Sequence, residues 1–335
     1  MANRKTRKRS ITKDLKLVLA VDIGGTKVEA GLVTERGEVA FSVRHPMAAQ
    51  STADAGLRAV RKAIDEVMLQ TAAARAAAIG IAVPGWVNAR EGKILKTANL
   101  PCWENYPLAK KIAGHYRLRT RLENDASAAA IAEARWGAGR AYDSLFYVSL
   151  GTGIGTGIVR RGSDGGLSVT PSEGGHMSIN FEGPLCGCGK RGCVEMYASG
   201  KALARRAKSV LAGGATSGSK LAKFVRASGR EVNAEMIARA AKAGDKVARG
   251  ILEEACDFLC VWLGNIIDLM EPEAIVIGGG LGPLMYTYLP RIRRQLRVHS
   301  IHPGRSAVRI HRARFGSQSA LLGAAALWLE SPEMA

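Results

Sequence analysis

Apolar segments broken by glycine turns open the chain and give way to helical patterns farther on. From Lys16 to Phe41 the alternation predicts three strands and two turns, the first turn being Gly24–Lys27. Residues 52–69 have the apolar spacing of an amphipathic helix. The remaining pattern predicts, in order, a buried strand ending at Pro84-Gly85, a loop around Asn99, a helix opened by Pro107, a strand before Asn124, helices over 126–136, 199–210 and 233–270, a strand over 272–277 and a helix over 317–329. Strands and helices in this order indicate an α/β fold with mixed sheets.

An internal repeat relates the first strand and its turn to a later segment of the chain. Val21-Asp22-Ile23-Gly24 corresponds to Val148-Ser149-Leu150-Gly151. Each copy is an apolar strand that runs into a glycine turn containing threonine. Such a repeat predicts two related lobes that face each other across a cleft.

The composition is that of a globular protein with an unusual charge. No apolar run among the 335 residues approaches the ~18 residues of a membrane span, so we expect no membrane partner. The net charge of +19 is concentrated in residues 1–15, predicted to be a disordered basic tail, and in residues 291–314, which hold eight arginines. This charge would attract ATP, polyphosphate or nucleic acid. Nucleic acid is disfavoured because the aromatic residues, 5% of the chain, are not interleaved with the basic ones.

Four soft metal donors lie close together in the sequence, and they are His176, Cys186, Cys188 and Cys193. This set fits a closed tetrahedral Cys3His zinc site, and a filled tetrahedron indicates a structural ion and not a catalytic one. A disulfide with a spare cysteine is disfavoured by the size of the chain and the lack of a secretory signal, which also predicts a reducing cytoplasm. Glu173 and Glu195 flank the cluster. Because carboxylates are poor zinc ligands beside thiolates, we expect the metal loop to present them to a polar substrate.

The two glycine turns are candidates for phosphate binding. Glycine allows backbone N–H groups to approach phosphate oxygens closely. Two such turns at a domain-sized spacing predict a clamp for a polyphosphate group. Neither turn has the GxGxxG register of dinucleotide-binding folds, and GxxxxGK[ST] occurs nowhere in the chain.

Asp125 is the candidate catalytic base. It stands between a predicted strand and a predicted helix, where an aspartate often serves only as the N-cap. The neighbouring Asn124 would make a second cap redundant. In the predicted cleft, a carboxylate at this point would accept the proton of a substrate hydroxyl that attacks a phosphorus atom. Asp22 is the other acidic candidate, and we expect it to orient the Mg2+ of the nucleotide or its waters.

Together these residues resemble the ROK family (repressor, open reading frame, kinase), bacterial sugar kinases with the duplicated actin-like ATPase (ribonuclease H-like) fold. The resemblance extends from about Lys16 to the C-terminal helix. It is carried by DIGGTK (22–27), NLPCW (99–103), ENDASAAA (123–130), GTGIG (151–155), EGGH (173–176), CGCGKRGCVE (186–195) and PEAIVIGGG (272–280). One departure is Ser127, where the family often has asparagine. We expect little effect from it because it falls inside the helix.

The resemblance implies lobe boundaries and residue roles. The small lobe would contain residues 16–123 plus 317–335, and the large lobe residues 124–316 with the zinc-binding loop. Asp125 is the implied catalytic residue. The implied sugar-binding residues are Gly85, Asn99, Asn124, Asp125, Glu173, His176 and Glu195, with His176 binding zinc through its other ring nitrogen. The implied nucleotide-binding residues are Asp22, Gly24, Gly25, Thr26, Lys27, Gly151, Thr152, Gly153, Gly278, Gly279 and Gly280.

The implied activity is that of an ATP-dependent kinase that uses Mg2+, contains a structural Zn2+ and phosphorylates the 6-hydroxyl of a hexose, with glucose the leading substrate. N-acetylmannosamine, N-acetylglucosamine, fructose and mannose are alternative sugars, and the basic charge leaves inorganic polyphosphate open as a donor. A non-catalytic sugar-responsive regulator is disfavoured. Such regulators have an added N-terminal winged helix, whereas only some fifteen residues precede the first strand here. The family also implies a cytoplasmic homodimer or homotetramer.

Overall fold

A computed structural model describes residues 15–47, 52–97, 100–214 and 218–329. Residues 1–14 of the predicted basic tail and the predicted sugar ligand Asn99 therefore lie outside the described residues. The described chain divides into two compact units. The first unit contains the residues up to Ala128 together with those from Ala320 onward, and the second unit contains Ala129–Ser319.

The first unit is built on a five-stranded sheet and a two-stranded hairpin. Its strands are β1 (Leu17–Ile23), β2 (Lys27–Thr34), β3 (Val39–Pro46), β4 (Ala76–Val83), β5 (Trp86–Asn88), β6 (Lys93–Lys96) and β7 (Arg119–Asn124). The sheet has the order β3-β2-β1-β4-β7, in which the first three strands are antiparallel and the last two are parallel to β1. The side chains of β1 and β4 are buried on both faces, as expected for central strands.

The helices of the first unit pack their apolar faces on this sheet. They are α1 (Ala53–Met68), α2 (Leu108–Tyr116), the beginning of α3 (Asp125–Arg135) and nearly all of α11 (Ser319–Leu329). α1 begins where the Thr52 hydroxyl accepts a hydrogen bond from the N–H of Ala55, a standard N-cap. The indole N–H of Trp328 donates to the carbonyl oxygen of Ile79 at 2.6 Å. This buried bond fixes the C-terminal helix against the central strand β4.

The second unit repeats the strand arrangement of the first. Its strands are β8 (Ser144–Leu150), β9 (Ile154–Arg161), β10 (Leu167–Ser172), β11 (Ala274–Gly278) and β12 (Arg309–Arg312). They form a sheet of order β10-β9-β8-β11-β12, again with three antiparallel strands followed by two that are parallel to β8. β1 and β8 hold equivalent places, and these are the strands that contain the two copies of the sequence repeat.

Helices form most of the rest of the second unit. They are α4 (Glu195–Ala198), α5 (Gly200–Ala212), α6 (Lys220–Ser228), α7 (Ala234–Lys242), α8 (Lys246–Met270), α9 (Gly282–Met285) and α10 (Leu289–His299). The sequence pattern predicted α5, α7 and α8 but not α6. This short helix follows a run rich in glycine and serine that indicates a loop, and it begins only where the Ser219 hydroxyl caps it.

The long helix α8 forms the centre of the second unit's core. Trp262 is fully buried and packs edge-on against Phe146 of β8, with ring centroids 5.7 Å apart. Cys256 and Cys260 are buried free thiols one turn apart on the same helix. In the part of the chain that the structure describes, no helix combines the length and apolarity needed to cross a bilayer.

Glu133 in α3 is fully buried, which is rare for a carboxylate. Its Oε2 accepts hydrogen bonds from the N–H groups of Ala138 and Arg314, each at 3.0 Å. Its Oε1 accepts from the N–H of Phe315 at 3.1 Å and from the Ser319 hydroxyl at 3.3 Å. Because both oxygens are paired with donors, burial of the charge is compensated. Glu133 therefore fastens α3 to the segment that leads into α11.

Candidate active site

Parallel strand ends bring three predicted site segments of the first unit together. β1, β4 and β7 end at the same edge of the sheet, with Asp22 opposite Ala82 and Ala82 opposite Glu123. Asp22 is the penultimate residue of β1, Gly85 follows β4 by two residues, and Asn124 ends β7. The carboxyl ends of parallel strands are the usual place for a ligand site in α/β proteins.

Asn124 is the residue that caps helix α3. Its Oδ1 accepts hydrogen bonds from the N–H groups of Ala126 at 2.9 Å and Ser127 at 3.1 Å, and its Nδ2 donates to the carbonyl oxygen of Gly85 at 2.9 Å. Oδ1 of Asp125 also accepts a hydrogen bond from the N–H of Ala126, at 2.8 Å. The helix would therefore be capped without Asp125. A capping role does not by itself account for a carboxylate at this position.

Both acidic residues at these strand ends hold their protons more tightly than usual. Burial, followed by the negative charges of Asp125 and Glu29, raises the pKa of Asp22 from 3.8 to about 7, against the opposing charges of Lys27 and Arg44. Burial also raises the pKa of Asp125, although a backbone hydrogen bond opposes the shift. A carboxylate with a raised pKa is a stronger base when it is ionised. Two acidic groups close to each other also favour binding of a divalent cation.

Position 85 has no room for a side chain, and only glycine fits there. Its φ angle is +96°, and an added Cβ would overlap the carbonyl oxygen of Lys96. Glycine here allows the chain after β4 to pass close to β6, and this places the Gly85 carbonyl against the Asn124 amide.

The predicted phosphate turn of the first unit links β1 to β2. The N–H of Gly24 donates to the carbonyl oxygen of Lys27 at 2.8 Å, which closes the turn over Gly25 and Thr26. The Thr26 carbonyl in turn accepts from the N–H of Met47 at 2.9 Å. The positive charge of Lys27 in this turn lowers the pKa of Asp22 and so opposes the effect of burial.

The second glycine turn, residues 151–154, is held by two other parts of the second unit. The carbonyl oxygen of Gly151 accepts a hydrogen bond from the N–H of Gly200 at 2.8 Å, at the start of α5. The carbonyl oxygen of Leu150 accepts from the N–H of Leu281 at 2.8 Å, and Gly279 packs against the Leu150 backbone. The structure therefore brings together two of the predicted nucleotide segments, Gly151–Gly153 and Gly278–Gly280.

The four predicted metal ligands also come together, with ligand atoms that all lie within 4.8 Å of one another. Nδ1 of His176 is 3.5 Å from Sγ of Cys186, and Sγ of Cys188 is 3.6 Å from Sγ of Cys193. A zinc tetrahedron with bonds of about 2.0–2.1 Å to nitrogen and 2.3 Å to sulfur has edges of roughly 3.5–3.8 Å. The donor set and these two distances therefore fit a Cys3His zinc site.

The predicted metal ligand His176 also lies next to one of the predicted sugar ligands. With Nδ1 directed at the thiols, Nε2 lies 3.9 Å from Oε2 of Glu173. A nitrogen bound to metal would fix the tautomer and leave N–H on Nε2, directed toward this carboxylate. His176 and Glu173 thus lie side by side next to the predicted metal cluster.

Glu195 has a contact that the sequence did not reveal. Its Oε2 accepts a hydrogen bond of 2.7 Å from the N–H of Ile154, the residue that ends the second glycine turn. An added Cβ on Gly153 would overlap the same oxygen. The partners are 41 residues apart, and no local pattern in the chain predicts their pairing.

A cavity of about 920 Å³ lies in the second unit beside Gly280. This volume is within the range of small-molecule sites. Side chains of α7, α8 and α9 and the residues around them line the cavity, among them Ala234, Arg239, Leu252, Leu281, Leu284 and Tyr288. Sequence reasoning identified only Gly280 at its edge, because the apolar lining residues have the spacing of ordinary helix cores.

Comparison with known proteins gives a consistent result. A family model described as ROK family matches residues 18–331. Glucokinase from Streptomyces coelicolor is 31% identical over 317 residues, which cover 93% of this chain and 97% of the relative. N-acetyl-D-glucosamine kinase from Shigella flexneri is 32% identical over 321 residues, which cover 92% of this chain and 98% of the relative.

A solved structure supports the same grouping. It is that of a ROK family glucokinase from Streptomyces griseus in complex with glucose and AMPPNP. It aligns with a TM-score of 0.78 at 33% identity and covers 93% of this chain and 98% of its own.

Proposed function

The chain belongs to the ROK family, and from this premise we propose that it is an ATP-dependent hexose kinase that phosphorylates the 6-hydroxyl of glucose. The family resemblance seen in the sequence motifs is confirmed, as is the α/β fold with two related sheets. The residue roles below are part of the proposal.

The convergence of Asp22 and Asp125 at parallel strand ends is the observation that carries the proposal. In the proposed reaction Asp125 accepts the proton of the sugar hydroxyl as its oxygen attacks the γ-phosphorus of ATP. A new O–P bond forms, the bond from the γ-phosphorus to the β–γ bridging oxygen breaks, and ADP leaves with that oxygen. The raised pKa of Asp125 suits it to accept this proton.

The remaining residues of the first unit position the phosphates. Asp22 would hold the Mg2+ that accompanies ATP, or the waters of that ion, and the ion would neutralise phosphate charge. The turn from Gly24 to Lys27 supplies backbone N–H groups and an ammonium group for phosphate oxygens. Asn124 and the carbonyl of Gly85 border the sugar in this proposal, together with Asn99.

The second unit is proposed to contain the binding site for the nucleoside and part of the binding site for the sugar. The cavity beside Gly280 has the volume for adenosine, and its lining combines apolar residues such as Leu252 with charged ones such as Arg239. Gly151, Thr152 and Gly153 would lie along the phosphates, with Gly278 and Gly279 behind them. Glu173, His176 and Glu195 would hydrogen-bond the sugar hydroxyls. A structural Zn2+ on His176, Cys186, Cys188 and Cys193 would hold the loop that contains these groups.

The sugar and the donor are the finer parts of the proposal. N-acetylglucosamine is the second candidate substrate, because an N-acetyl-D-glucosamine kinase matches this chain as extensively as a glucokinase does. N-acetylmannosamine, fructose and mannose rank below it. Inorganic polyphosphate is kept as a second donor only because of the net charge of +19. We further propose a cytoplasmic homodimer or homotetramer, as the sequence resemblance implied.

A panel of sugars assayed with ATP and with polyphosphate tests the proposal. Coupled detection of ADP should show turnover with glucose and ATP, and the Asp125→Asn variant should lose it. Tight sugar binding without ADP production in the presence of any sugar would instead indicate a sugar-responsive regulator.

A further inference from the structure

Ile154 is clamped from two sides by residues that adjoin the metal ligands. Its N–H donates to Oε2 of Glu195 at 2.7 Å, and Glu195 follows the ligand Cys193 closely in the chain. Its carbonyl oxygen lies against Gly175, where an added Cβ would overlap it, and Gly175 immediately precedes the ligand His176. We call this arrangement the Ile154 clamp.

The predicted metal cluster lies between the two sides of the clamp in the chain. Gly175 comes just before the first ligand in the sequence and Glu195 just after the last, and the ligands nearest to them, His176 and Cys193, belong to one cluster. The N–H of Val194 also donates to the carbonyl oxygen of Met177 at 2.9 Å. A bound ion would therefore fix the distance between the two segments that grip Ile154.

Ile154 ends the turn that holds Gly151, Thr152 and Gly153. On its other side this turn is fastened through backbone contacts, which include the bond from the N–H of Gly200 to the carbonyl of Gly151. Glu195 is the side chain that fixes the end of the turn nearest the metal. A hydrogen bond to an ionised carboxylate is also stronger than one between neutral groups.

We propose that Glu195 is a positioning residue that transmits metal occupancy to the nucleotide turn, so that metal and nucleotide bind with positive coupling. The inference rests on the proposed function, because it takes residues 151–154 as a phosphate turn. It is separate from the proposed sugar contact of Glu195, since Oε2 is engaged by Ile154 and the coupling requires no sugar. By linkage, nucleotide must strengthen metal binding by the same factor as metal strengthens nucleotide binding.

The test measures the dissociation constant of AMPPNP by calorimetry without sugar. Glu195→Ala should weaken AMPPNP binding about 10-fold or more, the scale of a lost hydrogen bond to a charged group. Glu195→Gln retains an acceptor oxygen and should stay within about 3-fold of the wild type. Glu182→Ala, which removes an exposed carboxylate from the same metal loop, is the matched control and should leave affinity unchanged.

Metal removal, combined with the Glu195→Ala substitution, shows whether the two changes act through the same connection. Chelation should weaken AMPPNP binding to the wild type but add little to the effect of Glu195→Ala, because the variant has already lost the connection. If Glu195→Ala, with its zinc content and circular dichroism intact, binds AMPPNP as the wild type does, the inference is wrong. If the wild type itself fails to bind AMPPNP, the proposed function fails along with it.

A second measurement covers the case in which Glu195→Ala does not fold. In the wild-type protein with Co2+ in place of zinc, the thiolate-to-cobalt absorption bands report the geometry of the cluster. AMPPNP should shift these bands and slow the loss of Co2+ to a chelator. Bands and loss rates that do not respond to saturating AMPPNP would overturn the coupling.

Discussion

Asp22→Asn should make the protein more stable and less active at neutral and alkaline pH. In the folded protein burial and the charges of Asp125 and Glu29 raise the pKa of Asp22 to about 7, whereas the ordinary value is 3.8. Between these values the folded state keeps a proton that the unfolded chain has released. Folding stability therefore falls as the pH rises from 3.8 to about 7, and above that range the loss is complete. Asparagine does not ionise and escapes this loss.

The expected magnitude follows from the two pKa values. Linkage gives a stability gain for Asp22→Asn of roughly 4 kcal/mol at about pH 8 and roughly 1–2 kcal/mol at about pH 5. The gain should thus grow with pH. The same variant would lose the proposed Mg2+ contact, so its ADP production should fall sharply. In the wild type, the affinity for Mg-ATP should rise as the pH rises through about 7 and Asp22 ionises.

Urea unfolding of the apo-protein at several pH values measures this difference, with circular dichroism as the signal. Asp164→Asn is a suitable control, because Asp164 is exposed in a turn where its Oδ1 accepts from the N–H of Gly166. An asparagine oxygen can replace it there. A stability difference between Asp22→Asn and the wild type that stays constant with pH, or a variant less stable at about pH 8, would refute the electrostatic reasoning.

Three further predictions follow from the site and the fold. Asp125→Asn should reduce kcat by about 10²–10⁴-fold, the scale of a lost general base. Its stability should change little, because Asn124 caps the helix. A large drop in melting temperature together with the loss of activity would contradict this prediction. Cys188→Ser should lower zinc content, stability and sugar affinity together, whereas Cys256→Ser in the helix core should leave zinc content unchanged by elemental analysis. Glu133→Ala should destabilise the protein by about 3 kcal/mol or more in urea unfolding, since it leaves the four donors around the buried carboxylate unpaired, and a loss below about 1 kcal/mol would show that water replaces the carboxylate.

Local pattern was sufficient to predict those features whose causes are local. The strands around Asp22 were predictable because each is a short apolar run that ends at a turn containing glycine. The metal cluster was predictable because its four ligands lie in one short stretch, from His176 to Cys193, and have one common chemistry. Asp125 was predicted as a site residue because it stands at a strand-to-helix junction where the neighbouring Asn124 makes a second cap redundant, and it stays a prediction.

Features that depend on long-range packing were not predictable from pattern. The bond between Glu195 and Ile154 joins segments 41 residues apart, and either residue alone has an ordinary explanation. The apolar lining of the cavity beside Gly280 has the spacing of a helix core. The buried Glu133 lies in an alanine-rich helix, where its position gives no sign of donors supplied by residues 314–319.

Phosphorus NMR of the protein mixed with glucose, Mg2+ and ATP tests the central claim most directly. ATP should be converted to ADP with stoichiometric appearance of a sugar 6-phosphate, and Asp125→Asn should slow both by about 10²-fold or more. Release of inorganic phosphate at the same rate with and without sugar, or full activity in Asp125→Asn, would contradict it.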